Sequence, residues 1–129
     1  MVPKTPLILV VDDESDSLAY LFDLLHNEGY RVLPTASSLD ALEQVVKKHP
    51  QVIISDLRMP DLDGLELLER VKAISPGTKV ILLTACADGR IGQEILKKGG
   101  DGMLLKPLKN EEILQAVKQA LEGMKQCSL

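Results

Sequence analysis

The sequence has no tryptophan and only three aromatic residues, Tyr20, Phe22 and Tyr30. A core must therefore be assembled from Leu, Val and Ile, and an aromatic platform for stacking nucleic-acid bases is not available. Cysteine is scarce: Cys86 and Cys127 stand 41 positions apart and fit neither metal nor redox spacing, so both read as reduced thiols. Positive charge is in deficit. Fifteen Lys and Arg against nineteen Asp and Glu give a formal net charge of −4, which leaves no broad basic footprint for direct nucleic-acid binding. The longest apolar run, Leu7 to Val11, falls far short of the roughly 20 residues that span a bilayer. No secretory pattern opens the chain, so the expectation is a cytoplasmic protein with no membrane association.

What is present is the balance of a folded domain: 45% hydrophobic and 26% charged residues in 129. That length is one domain, 1–129, with a core at about 7–124 and short flexible ends. No repeat, low-complexity tract or linker interrupts it, and no output domain is expected within these residues. Five short apolar runs stand out: Leu7–Val11, Arg31–Leu33, Val52–Ser55, Lys79–Leu83 and Met103–Leu105. They are mostly continuous rather than alternating, which suits strands buried on both faces of a parallel sheet.

The segments between them carry helical spacing. Leu18, Leu21, Phe22 and Leu25 recur at i, i+3, i+4 and i+7, with Gly29 placed for a left-handed C-terminal cap. Ser38 reads as the N-cap of a second helix, Asp63 of a third and Asn110 of a fifth. A weaker fourth helix starts at Asp88, and the last ends near Gly123. His26 and His49 fall on helices without ligand-like partners and read as surface residues. The result is (βα)5, which predicts an α/β fold: a doubly wound, five-stranded parallel sheet of flavodoxin-like order 2-1-3-4-5 with right-handed crossovers.

In that order the chain reverses between strands 1 and 3, where ligands bind outside the carboxyl ends of strands. Asp12 and Asp13 follow the first strand and Asp56 the third, so the fold gathers three carboxylates in one crevice. Two unit charges 4 Å apart repel by roughly 4 kcal/mol at an effective dielectric of 20, a large share of the roughly 5–15 kcal/mol that holds a domain together. Lys106, at the end of strand 5, answers with one positive charge. A hard divalent cation suits the rest, since Mg2+ takes one or two carboxylates with water and phosphate oxygens. Thr84 closes strand 4 with a hydroxyl aimed at the same crevice. Acids, hydroxyl and ammonium at successive strand ends suit phosphoryl chemistry, in which a carboxylate can be the nucleophile.

Four segments, Val10 to Glu14 (VVDDE), Ser55 to Leu68 (SDLRMPDLDGLELL), Leu82 to Ala85 (LLTA) and Gly99 to Pro107 (GGDGMLLKP), together resemble the receiver domain of two-component response regulators, from about Leu7 to Met124. The resemblance implies that Asp56 is the phosphoacceptor, phosphorylated by a histidine kinase, a phosphotransfer protein or a small phosphodonor. It implies Mg2+ held by Asp12, largely through water, by Asp13 and Asp56 directly, and by the Arg58 backbone carbonyl. Lys106 would pair with a phosphoryl oxygen and Thr84 would swing in to bond another, displacing the loop after strand 4 as the signal. It further implies a cis bond before Pro107 and a homodimer through the fourth helix, fifth strand and fifth helix. Catalysis would be limited to the chain's own phosphotransfer and slow autodephosphorylation, in a module, most commonly bacterial, that regulates a partner or output domain.

Two positions depart from the family's pattern. Met103 stands where the family usually has Tyr or Phe, the second switch residue beside Thr84, which predicts softer coupling. Arg58, two residues after the acceptor, can reach over the phosphoryl group. A dehalogenase-like phosphatase wants an acid where Arg58 stands, and no glycine-rich phosphate loop follows strand 1. The remaining rival is an interaction domain that keeps the fold without the switch. Asp61 and Asp63 read as turn and capping residues, with Pro60 and Gly64 shaping that turn, and Cys86 as a passive small side chain.

Overall fold

The computed structural model describes residues 5–85 and 89–127. Five strands, β1 (Leu7–Val11), β2 (Arg31–Thr35), β3 (Val52–Asp56), β4 (Lys79–Thr84) and β5 (Gly102–Leu105), alternate with five helices. These are α1 (Ser15–Asn27), α2 (Ser38–Lys48), α3 (Gly64–Ile74), α4 (Gly89–Lys97) and α5 (Asn110–Cys127). The strands form one parallel sheet in the order β2-β1-β3-β4-β5, as the alternation of runs predicts.

Side-chain alternation divides the interior into two layers. Leu9, Val11, Ile53, Val80 and Leu82 face α2, α3 and α4 through Ala41, Val45, Leu67, Leu68, Val71 and Ile95. Ile8, Val10, Val52, Ile54, Ile81 and Leu83 face α1 and α5 through Leu21, Leu25, Ile113 and Val117. The three inner strands are almost wholly buried, whereas the edges depart from the expected burial on both faces. In β5, Met103 and Leu105 are exposed, and in β2, Arg31 and Pro34 are. Proline on the outer strand removes a donor where no neighbouring strand needs one.

Several helix ends differ from the sequence reading. Ser37, not Ser38, is the N-cap of α2: its hydroxyl oxygen accepts from the Asp40 amide at 3.3 Å. Ser38 is the first helical residue and is fully buried. Asn110 is also already helical; the Lys109 carbonyl takes the first bond of α5, from the Ile113 amide. The Asn110 side chain instead accepts a hydrogen bond from the Tyr20 hydroxyl of α1. Helix α5 passes through Gly123 and runs to Cys127, since one glycine costs a helix only about 1 kcal/mol relative to alanine. Asp63 caps α3 as expected, accepting from the Glu66 amide at 2.9 Å, and Gly29 has φ +97° beyond α1. His26 is exposed and stacks on Phe22; His49, also exposed, closes α2 in the left-handed region. Asp88 and Cys86 lie outside the described residues.

Candidate functional site

Because all strands run the same way, the residues that end β1, β3, β4 and β5 meet at one edge of the sheet. Asp12 follows β1 directly. Its amide donates to the Thr35 carbonyl at 3.2 Å, and its Oδ1 accepts from the Glu14 amide at 3.0 Å. Its Oδ2 is buried and has no hydrogen-bond partner among the described residues. Asp13 is exposed and Asp56, the last residue of β3, is partly buried. Each of the three can offer one carboxylate oxygen to a group whose members all lie within 4.8 Å of one another.

Lys106 Nζ stands 3.2 Å from Asp56 Oδ1. The lysine is held there by its own amide, which donates to the Thr84 carbonyl at 2.8 Å, and the Lys106–Pro107 bond is cis. Thr84 ends β4 and is buried. Asp56, Leu57, Arg58, Thr84, Ala85 and Lys106 line a cleft of about 320 Å³. The strand-end residues of the sequence do meet: Asp12, Asp13 and Asp56 cluster, and Thr84 and Lys106 line the cleft with Asp56. Met103 does not line this cleft; it lies near the start of β5 and lines a groove against α4 with Gly89, Gly92 and Leu96.

Burial first, then the charges of Asp56 and Asp13, push the Asp12 carboxyl above its ordinary range, against the opposing Glu14 amide and Lys106. A buried carboxylate oxygen with no donor, beside two more acids and one ammonium, is a costly arrangement on its own. It fits a hard divalent cation, whose oxygen ligands are of this kind. The carboxylate beside Lys106 is the nucleophile candidate: the ammonium lies where it can neutralise charge on a group joined to Asp56.

The sequence assigns no role near the site to the hydroxyls of Ser55 and Ser37, and gives Ser38 only a capping one. Ser55 Oγ donates to the Asp56 carbonyl at 2.9 Å. Ser38 Oγ donates to the Leu62 carbonyl at 2.7 Å, and Ser37 Oγ to Asp61 Oδ2, also at 2.7 Å. Asp61 thus serves the turn, as expected, but does so by gripping α2. A serine pair ahead of a helix signals a cap; nothing local signals that its second hydroxyl points to a loop 24 residues away.

The family model described as the response regulator receiver domain matches residues 8–118. Sporulation initiation phosphotransferase F of Bacillus subtilis is 35% identical over 114 residues, covering 88% of this chain and 92% of that protein. The transcriptional regulatory protein ZraR of Klebsiella oxytoca is 36% identical over 114 residues, but there the chain spans only 26% of the relative's length. Among solved structures, a CheY-like receiver domain protein from Methanospirillum hungatei superposes with a TM-score of 0.91 at 28% identity, covering 95% of this chain and 98% of that one. A receiver domain protein from Clostridium thermocellum gives 0.90 at 32% identity, with the same coverage.

Proposed function

The chain belongs to the response regulator receiver domain family, and on that footing we propose that Asp56 is the residue through which it receives its signal. Receiver domains are phosphorylation-activated signalling modules of two-component systems; they work with histidine kinases and output domains and use Mg2+ at an acidic pocket. In this chain Asp12, Asp13, Asp56 and the Arg58 carbonyl would hold the cation. Bound there, Mg2+ would withdraw charge from phosphoryl oxygens. An Asp56 carboxylate oxygen attacks phosphorus; the new O–P bond forms as the bond to the donor's imidazole nitrogen or acyl oxygen breaks, and the leaving group departs with its electron pair. Lys106 pairs with a phosphoryl oxygen, and the Thr84 hydroxyl donates to another, drawing the end of β4 inward.

One observation carries this reading: the buried Asp12 Oδ2, without a partner among the described residues, beside the Lys106–Asp56 pair, which has little purpose without a cation and a phosphoryl group. The finer expectations fit it. A histidine kinase or phosphotransfer protein is the donor, an output domain or separate target the receiver. A homodimer through α4, β5 and α5 would use the exposed Leu96, Met103 and Leu105. Among the described residues no helix is long and apolar enough to cross a membrane; the proposed cytoplasmic location rests on the family.

Intact mass after incubation with acetyl phosphate and Mg2+ tests the proposal: one added phosphoryl group, absent in Asp56→Asn. A second reading, an interaction domain without the switch, is favoured by Met103 alone. No adduct and no response to beryllofluoride would select it.

A further inference from the structure

The loop that carries Arg58 runs over residues 57–63 and is fastened at its base. The Leu57 amide donates to the Leu83 carbonyl at 2.8 Å, and the Gly64 amide returns to the Leu57 carbonyl at 2.7 Å. A side chain at Gly64 would place its Cβ 2.8 Å from Leu57 Cα and 3.0 Å from the Asp56 carbonyl oxygen, so α3 begins in contact with the backbone of the phosphoacceptor. The base has no slack.

The crown of the loop is fastened to a different element. Ser38, fully buried, donates to the Leu62 carbonyl. Asp61 Oδ2 accepts both the Ser37 hydroxyl at 2.7 Å and the Leu39 amide at 3.2 Å. The first turn of α2 therefore supplies three donors to a loop more than 20 residues away in sequence. Ser37 is fully used: its proton goes to Asp61 while its oxygen caps α2 at the Asp40 amide. The segment before α2 also touches the far side of the acidic cluster, where the Thr35 carbonyl accepts the Asp12 amide. Arg58 lies between the base and the crown, so where its carbonyl stands depends on both.

We propose that the N-terminal turn of α2 is a brace for cation binding, with Ser38 and the Ser37–Asp61 pair acting as positioning residues for the Arg58 carbonyl. This rests on the reading of the cleft as a Mg2+ site. None of these side chains touches the cation; each acts by holding the loop, as partners of metal ligands commonly do.

Calorimetric titration of MgCl2 into the full chain decides it, with apo melting curves alongside. Ser38→Ala and Asp61→Ala weaken Mg2+ binding about tenfold, while Asp61→Asn, which keeps an acceptor oxygen but not the charge, stays within about twofold of wild type. Wild-type affinity in Ser38→Ala and Asp61→Ala would overturn the brace. So would equal losses in Asp61→Asn and Asp61→Ala, because the effect would then be one of charge and not of position. If Ser38→Ala does not fold, the two variants at the exposed Asp61 decide alone. A wild-type chain that binds no Mg2+ defeats the reading of the cleft, whereas a wild-type chain that binds it with unaffected variants defeats only the brace.

Discussion

The ammonium of Lys106 lies 3.2 Å from one carboxylate oxygen of Asp56, and among the described residues it is the cation seen paired with a member of the three-acid cluster. One positive charge cannot satisfy three negative ones that share a space less than 5 Å across. Asp12 bears the consequence, since its second oxygen is buried without a donor among the described residues.

Asp12→Asn therefore stabilises the metal-free chain. The amide keeps an oxygen for the Glu14 hydrogen bond and removes the charge that burial opposes. A rise in Tm of about 3–5 °C is expected, the shift produced by roughly 1 kcal/mol in a chain of this size. Melting with chelator checks it, and the same variant loses the additional rise that Mg2+ gives wild type.

Asp61 is displaced in the opposite sense. Local desolvation raises its carboxyl, but the Ser37 hydroxyl and the amides of Leu39, Leu62 and Asp61 outweigh that and hold it well below the ordinary value of 3.8. A carboxyl depressed on folding contributes stability that is whole above the unfolded pKa and disappears as pH falls through the folded one. The difference in Tm between wild type and Asp61→Ala therefore begins to narrow below pH 4 and is still shrinking at pH 2, because the folded-state carboxyl protonates only at lower pH. Because the group is exposed, the difference is small even at neutral pH. A gap that stays constant across the acid range would contradict the Ser37–Asp61 bond.

Much of this could be read from the chain. The strand runs and the positions of Asp12, Asp56, Thr84 and Lys106 locate the cleft because parallel strands all deliver their ends to one side. What escaped detection is tertiary. Ser37 and Ser38 are adjacent and identical, and only the nearness of the Leu62 carbonyl decides which of them caps and which turns inward. Asn110 resembles a cap by type, yet Tyr20, 90 residues earlier, claims its side chain. The exposure of Met103 and Leu105 follows from β5 being an edge, which a short apolar run does not reveal.

Arg58 is exposed at the mouth of the cleft and makes no ion pair among the described residues. Its guanidinium is free to cover a phosphoryl group on Asp56 and exclude water. Arg58→Ala is expected to shorten the acyl phosphate's lifetime by about threefold or more while leaving Mg2+ affinity near wild type, since the metal would use the backbone carbonyl. Phosphate release after removal of the donor measures the first, and unchanged decay would exclude this role.

Met103 borders an open groove of about 380 Å³ between α4 and β5. Gly92 borders its methyl and leaves room there, since an added Cβ would stand 4.0 Å away, an ordinary van der Waals distance. A flexible side chain with this room gives a weakly two-state switch. With beryllofluoride, NMR resonances of Leu96, Met103 and Leu105 should move part-way and broaden, and Met103→Tyr should sharpen the change. A complete, sharp transition in wild type would refute the softer coupling.

The most direct test of the whole account is to locate the phosphoryl group by fragmentation mass spectrometry after treatment with acetyl phosphate, with and without Mg2+. The expected result is a single acyl phosphate on Asp56 that forms only when Mg2+ is present. Modification of Asp12, Asp13 or a hydroxyl in place of Asp56, or an equal yield in chelator, would contradict it.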